Sequence, residues 1–138
     1  DPANGFLPTG GPVLGLREPT GPGVRVDSGL VAGSVVGSDY DPMLAKVIAY
    51  GENRDEARRK LVRAVEQCVL LGVNGNQRFL ANLLANPEFA AGNATTAFIA
   101  EEYPEGFQGA SLDEALLRKV LAAAAAMNRV ADLAKLAA

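Results

Sequence analysis

The feature that most constrains this 138-residue chain is where its glycines and prolines lie, since most of them fall in residues 1–50. They cut the apolar residues there into short pieces: Phe6-Leu7-Pro8-Thr9-Gly10-Gly11-Pro12, then Val13-Leu14-Gly15-Leu16, then Pro19-Thr20-Gly21-Pro22-Gly23. Proline fixes φ and lacks an N–H, and glycine is the residue most costly to order, so no helix of useful length survives such text. It predicts short β-strands joined by tight turns, at 13–17, 24–27, 34–36 and 44–50. In the last of these, Leu44, Val47, Ile48 and Ala49 leave few polar positions, which predicts a central strand covered on both faces. Lys46 is conspicuous within it.

The pattern changes at Gly51-Glu52-Asn53-Arg54-Asp55-Glu56. Asn53 is placed to cap a helix, and Asp55 and Glu56 in its first turn suit the positive end of the helix dipole. Ala57, Leu61, Ala64, Val65, Cys68 and Val69 then recur at helical spacing, with Gly72 as the expected stop. A second helix is expected over 77–85 with Phe79, Leu80, Leu83 and Leu84 inward, ending at the Asn86-Pro87 break. Shorter helical turns are expected at 88–91 and 95–102.

Residues 104–109 read as a linker. Ser111-Leu112-Asp113-Glu114 beyond them has the form of a capping box and predicts a long terminal helix. Leu116, Val120, Ala123, Met127, Val130, Ala134 and Ala137 make a heptad-like seam, but alanine and methionine are too small or too flexible to specify a strong coiled coil. The helix is therefore expected to pack on its own domain or on whatever follows.

At 49% hydrophobic and 21% charged, the composition is that of one globular domain with an appendage, and with 6% aromatic residues and no tryptophan it predicts an aliphatic core. A net charge of −3, with no basic stripe interleaved with aromatics, argues against a nucleic-acid partner. A single cysteine, Cys68, leaves no internal disulfide, and the absence of histidine removes the commonest metal ligand and general base. No metal site is predicted, and a reduced, cytoplasmic setting is. Neither a signal segment nor a run of about 18 apolar residues appears, so no membrane partner is predicted. The start at Asp1 without methionine is read as a processed or excised end.

The residues left with chemical potential are Arg25, Asp41, Lys46 and the polar segment 51–55. Gly10-Gly11 and Gly21-Pro22-Gly23 lack the strand, lysine and helix order of a phosphate-binding loop. Arg25 alternates with Val24 and Val26, so if the valines face the core the guanidinium faces outward. It reads either as a solvated arginine paired near Asp27 or as a preorganised cation. Asp41 before Pro42 suits a turn cap, Lys46 a side chain reaching past an edge, and Cys68 a small core residue.

Several separated stretches, taken in order, carry a resemblance: Asp1-Pro2, Phe6-Leu7-Pro8, Gly23-Val24-Arg25-Val26-Asp27-Ser28-Gly29, Tyr40-Asp41-Pro42-Met43-Leu44-Ala45-Lys46 and 51–55. Over residues 1–103 the chain resembles the C-terminal domain of biotin carboxylase, in the version found in biotin-dependent acyl-CoA carboxylases. Val26-Asp27, where other branches have Trp-Glu, points to the acyl-CoA branch. The resemblance implies an α+β fold: a small antiparallel sheet or half-barrel from residues 10–50, packed by helices over 54–102, with a C-terminal helix added. It implies a domain at 1–103 and, at 104–138, a linker and helix leading toward a following domain.

It further implies part of an ATP-dependent ligase that carboxylates biotin with bicarbonate, inactive alone because ATP and Mg2+ are held by an upstream ATP-grasp region. Biotin would ride on a carrier domain elsewhere, since Ala126-Met127-Asn128 offers no lysine for its attachment. The implied partners are that upstream region, the biotin carboxyl carrier domain, a carboxyltransferase subunit, which would choose the acyl-CoA, and a second biotin carboxylase in a homodimer. Arg25 is implied to contact the ureido oxygen of biotin. Tyr40, Asp41 and Lys46 are implied to support the site or the fold, and Tyr50, Glu52, Asn53 and Arg54 to lie in the dimer contact. The alternatives are a non-catalytic assembly module of the same carboxylase and a stand-alone small-molecule binding domain.

Overall fold

A computed structural model describes residues 1–37, 39–109 and 113–136. The punctuated N-terminal text forms short strands, as its turns require, and the α+β architecture is present. Among the described residues the strands pair as three separate two-stranded antiparallel ladders. β1 (Gly11–Pro12) pairs with β4 (Val35–Val36), β2 (Gly15–Arg17) with β6 (Val69–Leu71), and β3 (Val24–Ser28) with β5 (Ala45–Ala49).

The strand expected over 13–17 is divided because the chain changes partners in the middle of it. The Val13 amide donates to the Ser34 carbonyl and the Leu14 amide to the Leu71 carbonyl, each at 2.8 Å. Val13, fully buried, sits at the crossing.

β6 departs from the expected helix. α1 (Arg54–Gln67) ends at Gln67, Cys68 is extended with φ −69° and ψ 123°, and Val69–Leu71 leaves to pair with β2. A three-residue apolar run fits either period, and the open edge of β2 decides the outcome. Cys68 is thus a half-buried cap residue whose thiol is pushed up in pKa chiefly by burial. Gly72 does not stop a helix; its φ is +93°, and a Cβ there would stand 2.0 Å from the Pro12 carbonyl oxygen.

β5 also departs from expectation. Its ladder partner among the described strands is β3 alone, and Ile48 remains 38% exposed. The apolar run is therefore half-covered. Val47 and Ala49 lie on the half-buried face with Val24 and Val26, and α1 packs on this hairpin.

α1 and α2 (Gln77–Ala85) make the main helical contact, burying Ala64, Val65, Phe79 and Leu84. Asn53 caps α1 as its sequence predicts, its Oδ1 accepting from the Glu56 amide at 2.9 Å. Arg58 Nη1 donates to the Leu84 carbonyl at 2.9 Å, satisfying an acceptor at the end of α2. α3 (Pro87–Ala91) and α4 (Phe98–Glu102) follow, and Phe98 is buried.

The expected aliphatic core needs amendment. Rings meet edge-on around Phe79, whose centroid lies 4.9 Å from Phe6, 5.3 Å from Tyr103 and 5.4 Å from Phe107. Few aromatics suffice when they are gathered at one point.

α5 (Glu114–Leu136) forms the terminal helix, and from Leu117 to Met127 its side chains are exposed. The capping role predicted for Ser111 and the seam position at Ala137 lie outside the described residues. Among the described residues no helix is long and apolar enough to cross a membrane.

Candidate functional site

Strand alternation turns Val24 and Val26 toward α1 and sends Arg25 and Asp27 the other way. The antiparallel register sets Arg25 opposite Ile48 and Asp27 opposite Lys46. The outward face of the β3–β5 hairpin thus carries two cations, a carboxylate and one apolar side chain. The Arg25 side chain is 71% exposed, and its Nη2 donates to Asp27 Oδ2 at 2.9 Å. Among the described residues it makes no other hydrogen bond, so most of the guanidinium fork is open to a ligand. Arg25 lines a shallow depression of about 270 Å³ with Gly23, Val24, Ile48 and Tyr50.

The end of the hairpin nearest Arg25 is fastened to α1. The Tyr50 amide donates to the Gly23 carbonyl at 2.7 Å. Lys60 Nζ donates to the Tyr50 carbonyl at 3.2 Å and pairs with Glu56 Oε1 at 2.8 Å. Glu56 Oε2 in turn accepts from the Glu52 amide at 2.8 Å. Lys60 first, and then the Glu52 N–H, hold the Glu56 carboxyl below its ordinary pKa.

The structure brings Arg25, Lys46 and Tyr50 to one hairpin, with Tyr50 73% exposed beside the depression. Tyr40 and Asp41 are elsewhere. Tyr40 is almost fully exposed, Asp41 Oδ1 accepts from the Met43 amide at 2.7 Å as a turn cap, and neither lines the depression. Glu52 and Asn53 meet Glu56 at the corner before α1. Arg54 donates from Nη2 to the Phe89 carbonyl at 2.8 Å, with Cζ 5.1 Å from the Phe89 ring centroid. Among the described residues no group of three or more His, Cys, Asp or Glu could hold a metal ion.

Asp27, which the sequence places near Arg25, is its hydrogen-bond partner, whereas Ile48, Glu56 and Lys60 join the site only through the fold. Alternation alone puts Asp27 on the Arg25 face, so that signal was present. Ile48 required the register and Lys60 the packing of α1, neither of which is local.

The family profile of the biotin carboxylase C-terminal domain matches residues 1–101. The propionyl-CoA carboxylase alpha chain of Ruegeria pomeroyi is 39% identical over 153 aligned positions, covering 96% of this chain and 22% of that protein. This chain therefore spans about a fifth of the length of that relative. Rhizobium etli pyruvate carboxylase, solved as a variant with the allosteric activator acetyl coenzyme-A, superposes with a TM-score of 0.76 at 34% identity, over 83% of this chain and 11% of that one. The biotin carboxylase domain dimer of Hydrogenobacter thermophilus 2-oxoglutarate carboxylase, in complex with MgADP, ADP and bicarbonate, gives 0.75 at 30% identity, over 80% of this chain and 24% of that one.

Proposed function

The chain belongs to the biotin carboxylase C-terminal domain family, and we propose that it supplies the biotin-facing wall of the carboxylation site in an acyl-CoA carboxylase. The observation that carries this reading is the outward guanidinium of Arg25, mounted on a strand beside an apolar side chain and an exposed ring. Those residues fit biotin. A forked cation suits a ureido oxygen, and Ile48 with the Tyr50 ring offers apolar surface to a bicyclic body.

Biotin, when bound, supplies the ureido nitrogen that takes up the carboxyl group. Arg25 would donate to the ureido oxygen and hold the negative charge that grows there, and a strand does this with little reorganisation left to perform. Asp27 accepts one hydrogen bond from the guanidinium, from Nη2, and leaves its other donors free to meet the ligand. Lys46, across the hairpin from Asp27, adds a second positive charge to the same face. ATP and Mg2+ belong, in this reading, to an ATP-grasp region upstream, biotin to a carrier domain, and carboxyl transfer to a further subunit.

An assembly role is the second reading, favoured by the exposed Tyr50 ring and by the dimer reported for the Hydrogenobacter thermophilus relative. One experiment separates them: Arg25→Ala and Arg25→Lys in a complete biotin carboxylase carrying this domain. Removing an oxyanion donor typically costs about a hundredfold or more, so Arg25→Ala should slow biotin carboxylation by about that factor and leave ATP affinity near wild type. Arg25→Lys should recover only part of the rate, because an ammonium lacks the planar fork. A wild-type rate in Arg25→Ala would end the catalytic reading.

A further inference from the structure

A cation that stabilises developing charge must be held in place, and the outward face of the hairpin does little to hold Arg25. Among the described residues its one side-chain partner is Asp27 on the same exposed strand. The firm connections lie behind it. Gly23, two residues before Arg25, accepts from the Tyr50 amide, and the Tyr50 carbonyl accepts from Lys60.

Lys60 and Glu56 are four residues apart on α1, and such pairs are ordinarily solvated and worth only a few tenths of a kcal/mol. This one differs in what else its ends touch. The ammonium bonds the Tyr50 carbonyl, the carboxylate bonds the Glu52 amide, and both side chains are only 33% exposed. The pair therefore brackets the corner between β5 and α1.

The corner has no slack. A Cβ on Gly51 would lie 2.4 Å from the Ala57 nitrogen. Gly23, with φ +75°, brings its backbone so near that a Cβ would meet the Tyr50 carbonyl oxygen at 2.9 Å and Lys60 Nζ at 3.5 Å. The ammonium thus occupies the space where the first residues of β3 cross the end of β5.

We propose that Lys60, steadied by Glu56, is the positioning residue for Arg25, fixing through the Tyr50 carbonyl the end of the hairpin from which the guanidinium projects. This rests on the reading of Arg25 as the biotin-facing donor. It predicts a particular pattern of dependence: Lys60 matters to the reaction only while Arg25 is present to be positioned.

The test is a double-mutant cycle in the complete biotin carboxylase carrying this domain, with kcat and KM for free biotin, KM for ATP and the thermal midpoint measured for each variant. Lys60→Met should lower kcat/KM for biotin about tenfold, the scale of loss for a misplaced catalytic group, with KM for ATP unchanged. Lys60→Arg, which keeps a donor for the Tyr50 carbonyl, should restore most of it. In an Arg25→Ala background Lys60→Met should cause no further loss. Glu56→Gln is the milder companion should Lys60→Met fold poorly, and its smaller loss should likewise vanish without Arg25. Equal losses with and without Arg25, or no loss while Arg25→Ala is slow, would overturn the positioning role and leave Arg25 standing. A wild-type rate in Arg25→Ala itself would instead remove the reading on which this rests, and the positioning role with it.

Discussion

Gly72 meets two requirements at once, each sufficient to demand glycine. Its φ of +93° is one that other residues adopt only under strain, and any Cβ would be driven to 2.0 Å from the Pro12 oxygen, with the Leu14 side chain 2.8 Å away. Gly29 meets neither; the nearest atom to a Cβ there is the Leu44 carbonyl oxygen at 3.9 Å. Gly72→Ala should therefore destabilise the chain by about 2–3 kcal/mol or more, since strand β6 would have to part from the 12–14 segment, while Gly29→Ala should be nearly neutral. Urea unfolding of the two variants and wild type checks this, and equal midpoints would refute it. The sequence announces a special glycine at this position, but the purpose is invisible in it. The clashing atoms lie about sixty residues away along the chain, so local reasoning assigns it the nearest plausible task, ending a helix.

Helix α1 was legible almost to the residue at its beginning because the cap, the acidic first turn and the apolar spacing agree with one another there. Its end was not, since Val69–Leu71 carries no sign of the partner strand that claims it. The same gap explains β5: counting apolar residues cannot say whether anything lies on the second face. The first turn of α1 also makes the element sensitive to acid. The Asp55 carboxyl lies below its ordinary pKa chiefly through its hydrogen bond from Arg58, with Arg59 also paired to it, and that of Glu56 through Lys60. A carboxyl whose pKa is lower folded than unfolded adds stability above the unfolded value, here ordinarily 3.8 and 4.5, and loses it as pH falls through the folded one. The thermal midpoint should thus hold near neutrality and decline from about pH 5 downward. In Glu56→Gln the neutral-pH midpoint should be lower and the decline shallower. Parallel curves for the two proteins would show that the Glu56 pair contributes nothing to α1.

Across the whole molecule, the Phe79 ring joins parts of the chain that sequence reading keeps apart. Phe6 reaches it from a backbone in the left-handed region, φ 62°, a strained conformation for a residue with a side chain, and Phe107 reaches it from the segment read as a linker. We propose residues 1–103 as the domain and 104–138 as linker and helix, with Phe107 lying back on the domain surface. Ending the chain after Gly109 should then leave the thermal midpoint nearly unchanged, because the described α5 side chains from Leu117 to Met127 are exposed. Ending it after Tyr103 should cost about 1–2 kcal/mol through the lost ring contacts and burial. Similar losses in both would mean that α5 docks on the domain. The shared ring also gathers the two ends of the proposed domain. The Asp1 nitrogen donates to the Leu7 carbonyl at 2.7 Å, next to Phe6, and Gly109 comes two residues after Phe107, so residues 1 and 109 both lie near one aromatic node. In a longer protein, segments joined to this domain at Asp1 and at Gly109 would leave from the same pole, like two lines made fast to a single mooring.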